Sequence, residues 1–173
     1  QSPYSATKIG ADNLALSYNK SFGTPIKLVR PFNIYGPRQS ARAVIPAIAI
    51  QILSGKRKIK LGNTYATRDL TFVKDTVDGF IEISKQNKFN GEAVHIGMNN
   101  EISIIDLVHK IAKILDKKIE IVFDKKRIRP KKSEVNRLVC DNTKLIKNTK
   151  WKPKYNLDKG LKETLNWIVK NQN

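Results

Sequence analysis

Short strand-like and helix-like segments alternate along the whole of this 173-residue chain. The first helix is predicted to begin at Ser2, an N-cap residue followed by Pro3, and to end before Gly23. The next segments are predicted to be a strand, a helix and two strands, at residues 26–30, 44–53, 59–61 and 69–73. This alternation continues to the C-terminal helix and is typical of an α/β fold with a parallel sheet.

A glycine-rich turn after the first strand marks a complete dinucleotide-binding fold. No such turn is found, because the glycines of the first third of the chain are isolated, at Gly10, Gly23, Gly36 and Gly55. The sequence therefore predicts a partial doubly wound, Rossmann-like parallel sheet that lacks its N-terminal half, plus a small α/β substrate-binding lobe. The Rossmann side is expected at residues 1–42 and 69–98, and most of the lobe at residues 43–68 and 99–173.

Other local signals predict where elements begin and end. Residues 31–43 are rich in polar residues, glycine and proline, and are predicted to form a loop. Asp75 is predicted to cap a helix in which Val77, Phe80, Ile81 and Ser84 share one face. Ser103 and Asp106 form a capping box that opens a further helix.

The chain is strongly basic, with 33 Lys and Arg against 15 Asp and Glu and a formal charge of +18. A basic balance can indicate nucleic-acid binding. Here the lysines are scattered over every segment, and no helix-turn-helix, zinc-finger or RNP-like motif accompanies them. We therefore expect no nucleic-acid partner, although a basic nucleic-acid binder with salt-dependent affinity remains an alternative.

Cys140 is the chain's one cysteine, so it cannot form an internal disulfide. It also lacks the Cys and His companions of a zinc site, so we expect no metal and a small buried thiol. No run of about 18 apolar residues and no secretory signal is found, which favours a cytoplasmic protein without a membrane partner.

Tyr4 and Lys8 are four residues apart, so a helix places both on one face. A phenol is a weak base near neutral pH because its ordinary pKa is about 10, and a neighbouring ammonium favours the phenolate form. A tyrosine tuned in this way can take a proton from a sugar hydroxyl while hydride leaves the same carbon. The alternative is a surface tyrosine beside a lysine, because lysine-rich chains often contain this spacing by chance.

Four segments in a fixed order carry a resemblance to a known family: SPYSATKIGAD, RPFNIYGPRQ, TRDLTFVKD and RPKKSEV. In order and spacing they resemble the second half of the extended short-chain dehydrogenases/reductases, the NAD-dependent sugar epimerases and dehydratases. The longer segments RPFNIYGPRQSARAVIP and RPKKSEVNRLVCDNTK are most similar to UDP-N-acetylglucosamine 4,6-dehydratases of legionaminic-acid-type pathways, which serve cell-surface polysaccharide biosynthesis.

This resemblance implies NAD as the cofactor and assigns four residues to catalysis and cofactor binding. Tyr4 would be the catalytic base, and Lys8 would favour its phenolate and hydrogen-bond the nicotinamide ribose. Pro31 and Phe32, just after the strand, would contact the nicotinamide end of NAD.

The resemblance also implies a nucleotide-sugar substrate, with a UDP-sugar expected. The residues that would bind it are Asn33, Val44, Leu61, Arg68, Arg129 and Glu134. Asn33 would hold phosphates or nearby hydroxyls, the two arginines would clamp the pyrophosphate, and Glu134 would touch the nucleotide ribose. Val44 and Leu61 would form the base pocket, where the family often has an aromatic residue in place of Leu61. Arg38 and Arg42 flank the substrate loop.

The expected activity of the whole enzyme is oxidation at C4, elimination of water across C5–C6 and return of hydride to C6. A 4-epimerase is an alternative, because residues that distinguish the two reactions would precede residue 1. A non-catalytic sugar-nucleotide-binding fragment is another alternative, and this truncated chain alone is expected to be inactive. We also expect a homodimer in the full-length protein, and exposed apolar surface on the first helix of the isolated chain.

Overall fold

A computed structural model describes residues 2–124 and 135–171 of the protein. In this part of the chain the α-helices are Pro3–Phe22 (α1), Val44–Leu53 (α2), Val73–Ser84 (α3), Ile104–Ile114 (α4), Thr143–Asn148 (α5) and Leu157–Lys170 (α6). The strands are Leu28–Pro31 (β1), Asn33–Tyr35 (β2), Lys58–Leu61 (β3), Thr67–Arg68 (β4), Leu70–Phe72 (β5), Ala93–Ile96 (β6), Ile102–Ser103 (β7), Glu120–Phe123 (β8) and Arg137–Leu138 (β9).

Most strand pairs are parallel, as the sequence predicts. Strand β1 pairs with β6, β2 with β5 and β3 with β8, each in parallel. In a three-stranded group, β4 lies between an antiparallel β7 and a parallel β9. Helices connect the parallel partners, which is the connection that parallel strands require. The predicted α/β class with parallel strands is therefore confirmed.

The main hydrophobic core lies where α2, α4 and α6 pack against β2, β3 and β5. Helix α2 is almost wholly apolar (VIPAIAIQIL), and Ile45, Ile48, Ala49 and Ile52 are buried in it. Helices α4 and α6 are amphipathic and turn one apolar stripe each toward the same core. This core joins residues from both of the predicted sides of the chain, whose assignment as Rossmann side and lobe stays a prediction.

Helix α1 has the predicted ends but packs loosely. Ser2 Oγ accepts a hydrogen bond from the Ser5 N–H at 3.1 Å, and Gly23 ends the helix with a left-handed φ of 67°. No residue of α1 is buried, and most of its large apolar side chains are exposed, with Phe22 at 75% exposure. The predicted exposed apolar surface is confirmed. A contact to β1 is made by Arg30, whose guanidinium donates to Asp12 at 2.9 Å through Nε.

Helix α3 is present but turns the opposite face inward from the one its apolar residues suggest. Val77, Phe80 and Ile81 are between 43% and 51% exposed. The buried side instead carries Asp75, Thr76, Gly79 and one large apolar residue, Ile83. Gly79 permits a close approach, because a Cβ there would lie 2.8 Å from Ile96 Cδ1.

Asp75 lies inside α3, so the prediction that it caps the helix is wrong. The helix begins at Val73, and its N-cap is Phe72. The buried Asp75 carboxylate accepts the backbone N–H groups of Lys154 and Tyr155 at 2.9 and 3.0 Å, and so fixes the segment before α6. Its backbone carbonyl also accepts the indole N–H of Trp151.

The segment 31–43 is only partly a loop, contrary to the prediction, because β2 lies within it. Three residues of β2 pair in register with β5, from Asn33 opposite Leu70 to Tyr35 opposite Phe72. Tyr35 is buried against Phe72, with ring centroids 5.6 Å apart, and against Gly160, where any Cβ would collide with its hydroxyl. Pairing with β5, which is distant in sequence, therefore makes a strand of residues whose composition is typical of turns.

None of the helices within residues 2–124 and 135–171 combines the length and apolar character needed to cross a bilayer.

Replacing Asp75 with alanine should destabilise the fold by about 2–4 kcal/mol, because two backbone N–H groups would lose their buried acceptor. Urea unfolding of Asp75→Ala measures the loss. Asp78→Ala is the matched control, because Asp78 lies on the same helix and forms an exposed ion pair with Lys154. Equal losses in the two variants would contradict the role given to Asp75.

Candidate functional site

A cleft with a cavity volume of about 600 Å³ opens beside β2, β3 and β4. The carboxyl ends of β2 and β3 and the amino end of α2 border it, since Tyr35, Leu61 and Val44 all line the cavity. In open α/β sheets, ligands bind outside the carboxyl ends of the strands. The position of the cleft therefore matches that of a ligand-binding crevice.

Four of the predicted substrate-binding residues line this one cleft: Asn33, Val44, Leu61 and Arg68. They come from β2, α2, β3 and β4, which are four separate elements. Leu61 is buried, and the other three are half-buried with part of the side chain open to the cavity. The structure thus brings together residues that are up to 35 positions apart in the sequence.

The backbone around Asn33 and Arg68 is held by the buried carboxylate of Asp69. Asp69 Oδ1 accepts the Met98 N–H at 2.8 Å, and Oδ2 accepts the Cys140 N–H at 3.1 Å. Asn33 Nδ2 donates to the Asp69 carbonyl at 3.2 Å. One carboxylate therefore joins the start of β5 to the segments after β6 and β9, next to two cleft-lining side chains.

The cleft is electropositive. Its lining residues, all within the described part of the chain, include Arg42 and Arg68 but no Asp or Glu. The N-terminus of α2 opens into it, and α2 has neither a side-chain cap nor an acidic residue in its first turn. N–H groups at a helix start favour anions, and the first turn of α2 can offer those of Val44 and Ile45, because Pro46 has none. This arrangement suits a phosphate-bearing ligand.

Tyr35, at the back of the cleft, is not a candidate base. Burial raises the pKa of its phenol, and the carboxylates of Asp75 and Asp158 act in the same direction. Its hydroxyl lies 3.4 Å from the Leu157 carbonyl.

The predicted catalytic and cofactor residues lie outside the cleft lining. Tyr4 is 70% exposed, and Lys8 Nζ lies 5.5 Å from the centre of its ring, so the helix does place the pair on one face. Pro31 and Phe32 are half-buried at the carboxyl end of β1, where Phe32 N–H donates to Ile96 O at 2.8 Å. The catalytic and cofactor roles of these four residues stay predictions.

The ring of Phe32 packs beside the ring of His95. The two rings make an edge-on contact at 5.8 Å.

Two predicted site residues, Arg129 and Glu134, lie outside the described residues. The cleft also contains polar residues that the sequence did not nominate, among them Gln39 and Asn63. Gln39 donates through Nε2 to the Ile34 carbonyl at 2.8 Å, and its buried Oε1 has no hydrogen-bond partner within the described part of the chain. Position in a turn-rich segment was the only sequence signal for it.

Comparison with known protein families identifies the family of this chain. The family model described as GDP-mannose 4,6 dehydratase matches residues 1–164. The chain belongs to this family. The resemblance to extended short-chain dehydrogenases/reductases of the epimerase/dehydratase type is thereby confirmed.

Curated relatives support the same assignment. A trifunctional UDP-glucose 4,6-dehydratase, 3,5-epimerase and reductase of Arabidopsis thaliana is 31% identical over 98% of this chain and 25% of its own length. A dTDP-glucose 4,6-dehydratase of Shigella flexneri is 30% identical over 99% of this chain and 48% of its own length. The chain thus spans half or less of these relatives.

Solved structures match the fold closely. A dTDP-glucose 4,6-dehydratase of Bacillus anthracis in complex with NAD has a TM-score of 0.87 and 33% identity, over 99% of this chain and 53% of its own. A UDP-glucuronic acid 4-epimerase of Bacillus cereus, in complex with UDP-glucuronic acid and NAD, has a TM-score of 0.88 and 29% identity, over 98% and 53%. NAD in both of these proteins agrees with the cofactor expected here.

Cys140 is buried and reduced, as predicted. Burial raises the pKa of its thiol to about 12, and the carboxylates of Asp69 and Asp141 add to this shift. Among the described residues, no group of three or more His, Cys, Asp or Glu could hold a metal ion.

The folded chain should protect Cys140 from thiol reagents at pH 8, because the reactive thiolate is disfavoured and the sulfur is buried. We expect slow reaction with an aromatic disulfide reagent in buffer and rapid, stoichiometric reaction in denaturant.

The free energy of unfolding should also fall as the pH rises above about 8.5, because the unfolded thiol ionises there while the folded one stays protonated until about pH 12.

The control is Cys140→Ala, whose stability should fall less steeply over that alkaline range. Rapid labelling of the native chain at pH 8 would contradict the buried, protonated thiol.

Proposed function

We propose that the chain is the part of an NAD-dependent nucleotide-sugar 4,6-dehydratase that binds the sugar nucleotide and carries the catalytic base. The observation that supports this most is the convergence of Asn33, Val44, Leu61 and Arg68, four predicted substrate residues, on one electropositive cleft. UDP-N-acetylglucosamine is the proposed substrate. The proposed division is a Rossmann side at residues 1–42 and 69–98, with the substrate lobe formed mainly by the rest.

In this proposal the base, the diphosphate and the sugar of the ligand contact different residues of the cleft. Val44 and Leu61 would hold the base between aliphatic surfaces, without aromatic stacking. Arg68 would bind the diphosphate, since a guanidinium can pair with two phosphate oxygens at once. Asn33, whose amide is already oriented by the Asp69 carbonyl, would hold phosphate or sugar hydroxyls. Arg129 and Glu134 are proposed as further diphosphate and ribose contacts.

The residues proposed to hold NAD lie near the carboxyl end of β1 and on α1. Phe32 is fixed there by its hydrogen bond to Ile96 and by the His95 ring, so its own ring is available as a rigid apolar wall. Tyr4 and Lys8 form an exposed pair that a cofactor and a sugar can both reach. These features fit NAD, which when bound would supply a reversible hydride acceptor.

Tyr4 would carry the proton chemistry. As a phenolate it would take the proton of the sugar 4-hydroxyl while the C4 hydrogen leaves as hydride. Loss of water across C5–C6 and return of the hydride to C6, with a proton to C5, would then give a 4-keto-6-deoxy sugar nucleotide. Lys8, whose ammonium lies beside the Tyr4 ring, would hydrogen-bond the nicotinamide ribose.

A nucleotide-sugar 4-epimerase is a second candidate, because the UDP-glucuronic acid 4-epimerase of Bacillus cereus is as similar in structure as the dehydratase of Bacillus anthracis. Both reactions begin with oxidation at C4. Incubation of the full-length protein with UDP-N-acetylglucosamine separates them. The dehydratase proposal predicts a 4-keto-6-deoxy product, and recovery of UDP-N-acetylgalactosamine without a keto product would contradict it.

Assembly of the complete protein is also a proposal. The exposed apolar side chains of α1, with Ile9 at 61% and Leu14 at 62% exposure, support burial of this helix in a larger protein and in a homodimer.

For the chain alone, the proposal is a fragment that binds sugar nucleotide without catalysing the reaction. Calorimetry with UDP-sugar and with NAD tests it: binding of UDP-sugar without NAD would support it, and tight NAD binding would contradict it.

Replacing Tyr4 with phenylalanine should lower the turnover of the full-length enzyme by about 10²- to 10⁴-fold, because the proton acceptor is lost. Affinity for UDP should not change, since Tyr4 lies outside the cleft lining. The control is Tyr18→Phe, at another exposed tyrosine of α1. Full activity of Tyr4→Phe, or equal losses in the two variants, would overturn the role proposed for Tyr4.

A further inference from the structure

Helix α1 carries the proposed catalytic pair, Tyr4 and Lys8, on the end that has the fewest contacts. All but one of its half-buried side chains lie at or after Asp12. They are Ser5, Asp12, Ala15, Leu16 and Asn19. The turns that carry Tyr4 and Lys8 precede this run, so their position depends on how firmly the helix is held at Asp12.

An ion pair between Asp12 and Arg30 joins α1 to β1. Arg30 Nε and Nη2 both donate to Asp12 Oδ2, at 2.9 and 2.5 Å. Within residues 2–124 and 135–171, the other side-chain hydrogen bonds of α1 stay within the helix, its N-cap and the turn that follows it. Asp12 is therefore the polar anchor of the helix that lies nearest to Lys8 and Tyr4.

Arg30 lies next to the strand end that is proposed to contact NAD. Pro31 and Phe32 follow it directly in the sequence. Strand β1 pairs in register with β6, with Arg30 opposite His95, and the Phe32 N–H donates to the Ile96 carbonyl. The ion pair thus links the helix of the proposed base to the strand of the proposed cofactor contacts.

The geometry of a helix makes this link sensitive. At 1.5 Å per residue, Tyr4 lies about 12 Å along the axis from Asp12, so a tilt of about 5° at Asp12 would move it by about 1 Å. A displacement of about 1 Å between reacting groups can lower a rate by about 10²-fold. A contact at Asp12 can therefore control the reaction without touching the sugar.

Arg30 also gives Asp12 a partner other than Lys8. Lys8 and Asp12 are four residues apart, which is the spacing of an ion pair within a helix. In the structure Asp12 pairs with Arg30, whereas Lys8 has no ion pair with any described residue and its Nζ lies 5.5 Å from the centre of the Tyr4 ring. The ammonium of Lys8 therefore stays beside Tyr4.

Stability does not account for the pair. The Arg30 and Asp12 side chains are 49% and 29% exposed, and ion pairs with this much solvent contribute little to the free energy of unfolding. We infer that Asp12 and Arg30 are positioning residues, which hold Tyr4 and Lys8 at a fixed place relative to the cofactor end of β1. This inference rests on the proposed function and adds two residues to it.

Hydrogen exchange of the 173-residue chain tests the positioning without any reaction. Arg30→Ala leaves the sequence of α1 unchanged, and the amides of residues 6–12 should exchange several-fold faster, while the midpoint of urea unfolding changes little. The matched control is Lys27→Ala, which removes the same charge three residues earlier. Lys27 Nζ donates to the Ser84 carbonyl of α3, so this variant should leave exchange in α1 unchanged.

Kinetics of the full-length protein with UDP-N-acetylglucosamine test the effect on the reaction. Arg30→Ala should lower kcat by about 10- to 100-fold. KM should stay nearly constant, because neither Asp12 nor Arg30 lines the cleft. The exchanged pair, Asp12→Arg with Arg30→Asp, should recover most of kcat, whereas each of these two changes alone should not. Lys27→Ala should keep the natural kcat.

The outcomes separate the inference from the function on which it rests. If the natural protein forms the keto product and Arg30→Ala matches its kcat, the inference fails. It also fails if exchange in α1 is unchanged in Arg30→Ala, if the exchanged pair is no better than the single changes, or if KM rises while kcat is kept. If the natural full-length protein forms no keto product, the proposed function is wrong and the inference falls with it.

Discussion

The buried carboxylate of Asp69 is the interaction on which the cleft depends. The carboxylate accepts the backbone N–H groups of Met98 and Cys140, and the backbone N–H of Asp69 donates to the Leu138 carbonyl at 2.9 Å. Three parts of the chain that are distant in sequence are therefore fixed beside Arg68. Gly97 is required for this approach, because a Cβ at that position would lie 2.2 Å from Cys140 Cβ. The two backbone hydrogen bonds offset part of the cost of burying this carboxylate, and a carboxylate left unsatisfied there would be strongly destabilising.

Local signals were enough for the elements whose ends are set by their own residues. Ser2 and Gly23 end α1 as predicted, Ser103 caps α4 through the Asp106 N–H, and α2 covers the predicted residues. Long-range partners decided the rest. Asp75 looks like a cap, yet its carboxylate pairs with residues 79 and 80 positions away. Likewise β2 becomes a strand only because β5 lies beside it.

In the site, too, some residues are indicated by sequence motifs and others only by the packing of the fold. Motifs nominated Asn33 and Arg68, and the fold places both on the cleft. No motif separated Arg42 from Arg38, because a side chain's relation to a cavity depends on the turn that precedes it. Gln39 was missed for the same reason. Tyr4 and Lys8 share a helix face that is exposed in this chain, which spans half or less of the length of the curated relatives. Their position relative to a sugar therefore stays a prediction.

The central claim is that the cleft bordered by β2, β3 and α2 receives the diphosphate of a sugar nucleotide. A crystal structure of the chain grown with UDP-N-acetylglucosamine tests it most directly. The account predicts diphosphate density between the guanidinium of Arg68 and the amino end of α2, with the uracil ring beside Val44 and Leu61. Density for the nucleotide at another surface, with the cleft unchanged, would contradict it.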